Sequence, residues 1–147
     1  MATKNCLKVW KNILVLIFYK HKAGKIKKTT YNETLGVTEW TLSNGVRVIV
    51  KPTTFKQDEI LFQGVSKGGA SLVATEDLPS SMLASTIVDF SGLADMSLTD
   101  LQKALTGKNV SHSVSINNNT EVVSGSSTVK DLETLLQLNY LYFTAPR

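Results

Sequence analysis

One stretch of this chain, Val37 to Pro52 (VTEWTLSNGVRVIVKP), constrains what it can fold into more than any other. Asn44-Gly45 is a pair that tolerates positive φ, and β-rich segments flank it on both sides. This predicts a β-hairpin closed by a two-residue type I′ turn. On the return strand Val46, Val48 and Val50 share one face while Arg47, Ile49 and Lys51 share the other. Pro52 has no N–H to offer a ladder, so the strand stops there.

The rest of the body repeats this alternation of strands with amphipathic helices. Glu59 to Ser66 reads as a strand running into Lys67-Gly68-Gly69-Ala70-Ser71, where a glycine pair suggests a bulge or turn. A phosphate loop is disfavoured because the second glycine followed by Lys and Ser/Thr at fixed spacing is missing. A helix is expected over Leu78–Ser91, with Asp77 as N-cap, Pro79 in the first turn, Leu83, Ile87 and Phe90 on its inner face, and Gly92 as its stop. A second follows Ser97 with Leu98, Leu101 and Leu105 as its stripe. A third is expected from Ser127 or Thr128, with Leu132, Leu135, Leu136, Tyr140 and Phe143 inward. Between the last two, Val110, His112, Val114 and Ile116 alternate with Ser111, Ser113 and Ser115. Asn117, Asn118 and Asn119 turn the chain back into Glu121–Ser124, a second hairpin. The class is α+β, an antiparallel or mixed sheet with helices packed on one face, and one sheet is expected to hold the strands.

At 147 residues the length fits one domain, and the single Cys6 excludes an internal disulfide. Charge is unevenly placed. Residues 1–30 hold eight lysines and no acid, whereas the remaining residues hold eight basic groups against all twelve acids. The body is therefore mildly acidic, which argues against nucleic acid as a partner. The head carries an apolar run, Ile13 to Tyr19, far shorter than the roughly 20 residues a spanning helix needs. It resembles a signal peptide without a small-residue cleavage site. As a membrane-surface helix it would be apolar all round instead of on one stripe, so contact of residues 1–22 with a membrane surface is a minor reading. Residues 1–30 are taken as a basic leader or linker, with Ala23 to Tyr31 leading into a single α+β domain over 31–147. The abrupt stop after the third helix suggests truncation at the C-terminus.

No catalytic set can be assembled from the residues. His21 and His112 lie far apart, and neither has an acidic neighbour that would share a helical face with it, so no zinc site forms from them. His112 reads as a packed strand histidine. The serines lack a G-x-S-x-G elbow. Glu76 with Asp77, and Asp58 with Glu59, are adjacent in sequence and would point to opposite faces of a strand. The N-x-S/T matches at Asn32, Asn109 and Asn118 are expected by chance in such a composition.

Five segments in order do carry a likeness: WTLSNGVRVIVKP, EILFQGVSKGGAS, SGLADMSLTDLQKALTGK, the serine-rich hairpin and DLETLLQLNYLYFTAPR. Over about residues 24 to 147 they resemble a domain of the pitrilysin/insulinase-type zinc metallopeptidases, closest to the long bacterial two-lobed members. The resemblance implies repeated α+β domains in two lobes around a peptide chamber. One lobe of the family carries zinc on an inverted H-x-x-E-H helix, in which two histidines bind the metal and the glutamate activates water. The equivalent helix here is Leu78 to Ser91, with Ser81, Leu83, Ser85 and Ile87 where ligands and base would stand. It has no histidine and no glutamate.

The resemblance therefore implies a fragment of a non-catalytic lobe, with no catalytic, cofactor-binding or metal-binding residue in this chain and zinc only in the parent family. Its implied partners are a catalytic lobe or subunit of a zinc peptidase and a peptide substrate. A standalone peptide- or subunit-binding module is the second reading. For the parent family, periplasmic or exported placement is implied.

Overall fold

The computed structural model describes residues 24–147, so the expectations for the basic head, Cys6 and His21 lie outside the described residues. The chain divides into two compact units, residues 24–57 and residues 58–147, each taken on its own. The strands form two three-stranded sheets instead of the single sheet expected, one in each unit.

The first unit is an antiparallel meander of β1 (Ile26–Asn32), β2 (Val37–Leu42) and β3 (Arg47–Val50). The lysine- and threonine-rich segment expected to be a linker is the edge strand β1, pairing Lys28 with Thr41 and Tyr31 with Thr38. Its side chains are all exposed, so β2 recruits it through backbone hydrogen bonds, which hydropathy patterning does not register. The β2–β3 hairpin forms where expected, but its turn differs. The Gly45 N–H donates to the Leu42 carbonyl at 3.0 Å and the Leu42 N–H to the Val46 carbonyl at 2.8 Å, making a three-residue loop. Gly45 takes φ 89° while Asn44 keeps negative φ, which is a type I turn followed by a left-handed glycine. The Asn44 side chain accepts from the Val46 N–H at 3.2 Å, an Asx contact available only in this arrangement. An exposed Arg47 Nε–Glu39 Oε1 pair at 2.7 Å ties β3 to β2.

The second unit orders its sheet β4-β6-β5, with β6 (Thr120–Ser127) between β4 (Ile60–Lys67) and β5 (Val110–Ile116). Both pairs are antiparallel, with Gly64, Val123 and Val114 abreast. Two helices, α1 (Leu78–Ser91) and α3 (Leu132–Thr144), pack against this sheet, and the short α2 (Leu98–Ala104) lies in the connection between α1 and β5. The Ser97 hydroxyl caps α2 by accepting the Asp100 N–H at 3.2 Å, as its sequence predicts. Asp77 makes no such cap for α1.

The main hydrophobic cluster joins Leu93 and Met96 of the α1–α2 connection, Leu101 of α2, and Leu138 and Leu141 of α3. A tight reciprocal turn sets it, with Leu93 and Met96 exchanging backbone hydrogen bonds at 3.0 and 2.9 Å. Gly92 precedes the turn at φ 96°, and a Cβ there would strike the Met96 carbonyl.

Helix α3 starts four residues later than its composition suggests. Residues 128–131 form a turn in which the Thr128 hydroxyl donates to Asp131 Oδ2 at 3.0 Å. Asp131 also accepts the Asn109 N–H at 3.0 Å and has Lys108 Nζ 3.3 Å from Oδ1. These contacts, the Asn109 N–H first, hold its carboxyl below the usual carboxylate range. The side chains α3 buries are Leu135, Leu138 and Leu141; of the expected stripe only Leu135 is among them, while Leu136, Tyr140 and Phe143 are exposed. Replacing Leu138 by Ala should cost roughly 3 kcal/mol in urea denaturation. Leu136→Ala, at a half-exposed position of the same helix, should cost under about 0.5 kcal/mol.

Candidate functional site

The helices and the sheet of the second unit enclose a groove of about 470 Å³. Its floor includes Gly64, Val114 and Val123, and its walls Ala84, Ser85 and Val88 of α1 and Tyr142 and Phe143 of α3. The lining is mostly apolar. Glu121 brings the one carboxylate of the lining, and that group accepts the Gly69 N–H at 3.1 Å.

This groove exists because α1 is turned opposite to expectation. Leu83, Ile87 and Phe90 face solvent, at 57%, 59% and 71% exposure, while the half-buried side is made of Ser81, Ala84, Ser85, Val88 and Asp89. Small side chains cannot reach down and fill the space above β5, so a gap remains there. None of the α1 residues is fully buried.

The glycine pair at the end of β4 is committed to structure. Gly68, Gly69, Ala70 and Ser71 donate their backbone N–H groups to Asn119 O, Glu121 Oε1, Asn117 O and Asn118 O respectively. Four successive N–H groups that could have cradled an anion are thereby spent on the β5–β6 turn. Gly69 sits at φ 61°, with the Asn117 carbonyl where a Cβ would be. The bulge-or-turn reading therefore holds over the phosphate loop.

Beside the groove lies a polar cluster of residues distant in sequence. The His112 ring of β5 stacks on Tyr142 of α3, with centroids 4.2 Å apart and planes at 29°. His112 Nε2 lies 3.2 Å from Asn139 Oδ1. Burial of the Tyr142 hydroxyl first, then the nearby Asp89 carboxylate of α1, pushes its pKa up to about 12. Asp89 and its partners were not legible in the sequence, although a lone acid inside the run IVDF was a signal that it sits at a special place. Among the carboxylates considered from sequence, Asp58 accepts the Val129 N–H at 3.3 Å, while Glu76 and Asp77 are exposed in a 3₁₀ turn. Asn32, Asn109 and Asn118 are exposed.

The helix that the family resemblance places at the zinc site offers no ligand set. Ser81 donates to the Leu78 carbonyl at 2.9 Å, Ser85 lines the groove, and Leu83 and Ile87 point outward. Among the described residues no three His, Cys, Asp or Glu side chains converge as metal ligands would. The residues present do not fit zinc.

No protein-family model matches the sequence. The chain is 39% identical over 98 residues to a zinc protease PQQL-like protein of Arabidopsis thaliana, covering 61% of this chain and 10% of that protein. It is 25% identical over 115 residues to a probable zinc protease PqqL of Haemophilus influenzae, covering 78% and 12%. In structure it is similar to the ferredoxin protease FusC solved with Arabidopsis ferredoxin, with TM-score 0.73, 25% identity, and coverage of 86% of this chain and 14% of that one. The periplasmic protease PqqL from Escherichia coli matches with TM-score 0.79, 24% identity, and coverage of 88% and 14%. Over most of its described length the chain is thus similar to a small part of zinc proteases of the pitrilysin type. It spans about a tenth of the length of the curated relatives it matches.

The Tyr142 environment leads to one spectroscopic prediction. An ultraviolet titration should show one of its four tyrosines ionising near pH 12, and Tyr142→Phe should remove that step. Because folding raises this pKa above the unfolded value of about 10, its contribution to stability is complete below about pH 10 and is lost as pH climbs toward the folded value.

Proposed function

We propose that this chain is a non-catalytic portion of a zinc-dependent metallopeptidase, contributing wall surface to a peptide-binding chamber whose chemistry is performed by a separate catalytic lobe or subunit. The observation that carries this reading is α1, which stands in sequence order where the family resemblance puts the zinc helix and supplies only hydroxyl and aliphatic groups there. Such groups neither hold Zn²⁺ well nor take a proton from its water. In this reading the chain has no catalytic residue, peptide is what it touches, and periplasmic or exported placement follows the parent family.

The outward row Leu83, Ile87 and Phe90 supports the reading. A contiguous apolar helix face on a chain of this size suits contact with further protein. A second reading, a standalone peptide- or subunit-binding module, draws on the sheet order β4-β6-β5, in which β4 and β5 each leave an outer edge free for strand addition.

Purified full-length chain should contain substoichiometric zinc by elemental analysis and release no product from unstructured peptides, with or without added zinc. Zinc near one per chain, with hydrolysis abolished by a chelator, would sink the non-catalytic reading. Capture of extended peptides by the chain alone, weakened by a proline placed in β4 or β5, would favour the standalone module.

A further inference from the structure

The groove of the second unit has a floor made from two rows of the sheet. Gly64, Val123 and Val114 stand abreast across β4, β6 and β5, and Ser66, Glu121 and Ile116 form the next row. Residues two apart along a strand share a face, so the rows make one surface, and every one of these residues lines the groove. Gly64 in the floor and Ala84 and Ser85 in the wall keep it open, because none of them carries enough side chain to fill it. Its volume of about 470 Å³ lies within the range of small-molecule sites, roughly 300 to 1,000 Å³, which are apolar apart from a few fixed polar groups.

Charge within the groove is one-sided. Glu121 brings the carboxylate, and the lining contains no lysine, arginine or histidine. The side chain is half-buried, and one of its several lone pairs takes the Gly69 N–H at 3.1 Å. Lys67 follows the floor residue Ser66 but alternates to the other face of β4. Among the described residues Glu121 forms no ion pair. A fixed negative charge at one end of an otherwise apolar groove is complementary to a cation carried on an apolar tail. We propose that the groove binds a single-chain aliphatic amine or quaternary ammonium, with its cationic head against Glu121 and its tail over Val123 and Val114 toward Tyr142. This site needs no assumption about peptidase function.

The sheet register sets the length of that ligand. Glu121 is level with Ile116, and Tyr142 stacks on His112, four residues back along β5. At about 3.3 Å per residue the two ends of the site are roughly 13 Å apart, a span that an extended decyl chain covers. The same geometry discriminates among amphiphiles of that length. A fatty acid would bring a second carboxylate against Glu121, with no cation in the lining to offset the repulsion. An alcohol would bury the same tail and leave the Glu121 charge unmatched.

The test uses the full chain with each probe kept below its micelle concentration. Decyltrimethylammonium should bind and shift the methyl NMR signals of Val114 and Val123 ahead of those of Leu83 and Ile87, which lie on the exposed side of α1. Along the alkyltrimethylammonium series each added methylene should tighten binding about threefold, and the gain should stop near decyl length. Glu121→Gln, whose amide oxygen still accepts the Gly69 N–H, should weaken binding about tenfold and remove the preference over decanol. Ser85→Phe, which fills the groove from α1, should abolish binding with the circular-dichroism spectrum unchanged. Failure of decyltrimethylammonium to bind overturns the site outright. Equal affinity for decanoate, or an affinity that Glu121→Gln leaves unchanged, overturns the assignment of the cation to Glu121. Affinity that climbs with tail length without a plateau, or shifts as large at Leu83 and Ile87 as at Val114 and Val123, shows surfactant adsorption on exposed apolar surface and overturns the groove as the site.

Discussion

The larger unit depends on how closely α3 can approach β6, and that approach is possible because residue 125 is glycine. A Cβ at this position would come to 2.5 Å from the Ser111 carbonyl on β5 and 2.8 Å from Leu135 Cδ1 on α3. Both neighbours are fixed, one by the β5–β6 ladder and the other in a side chain with no exposed surface. Any larger residue would lift the helix or part the strands. With Gly125 in place, Leu135 seats on the sheet, Leu138 and Leu141 follow along the helix to meet Leu93 and Met96, and Tyr142 arrives one turn later over His112. The core and the polar cluster are thus two consequences of one close contact.

Helix α1 has no equivalent anchor. It presents alanine, serine and valine to the sheet and leucine, isoleucine and phenylalanine to water, so its orientation is the reverse of what burial of its own apolar surface would choose in isolation. One constraint is its C-terminal end, where Gly92 turns the chain sharply into the Leu93–Met96 exchange. Its small inward residues leave the groove between the helices and the β4–β6–β5 surface unfilled. An orientation set by its end leaves the row Leu83, Ile87 and Phe90 exposed.

The sequence made most element positions legible but not which way they face. Strand alternation placed β5 and β6 correctly, including His112 on the Val110, Val114 and Ile116 side, because a period of two fixes faces once a turn is placed. Glycine and serine signals located the ends of α1 and the cap of α2. Two of the misreadings share a physical origin in contacts between residues distant in sequence, while the third is local. The hairpin turn is a left-handed-glycine type in which the Asn44 side chain accepts from the Val46 N–H. β1 is a strand because β2 offers it backbone partners. α3 begins at Leu132 because Asp131 is claimed by Asn109 and Lys108 from the start of β5. The candidate site was hidden for the same reason: Asp89, His112, Asn139 and Tyr142 come from three elements, and no spacing rule joins them.

These arrangements decide which polar groups of the described residues remain available for chemistry. A hydrolytic site needs polar groups that stay available, whether an open ligand position, an unshared base or backbone N–H groups aimed at developing charge. Here the groups that could have served are engaged in holding the fold. The Gly68–Ser71 amides secure the β5–β6 turn, Glu121 accepts one of them, and Asp131 ties β5 to α3. Helix α1 has given most of its inward positions to alanine, serine and valine. Histidines on α1 would stand either over the groove that Ser85 and Val88 line or among the outward apolar residues, and among the described residues no converging ligand set faces either place. The seating of α1 and the chemistry its residues can offer are therefore set together, because the way the helix is turned decides which side chains reach the groove.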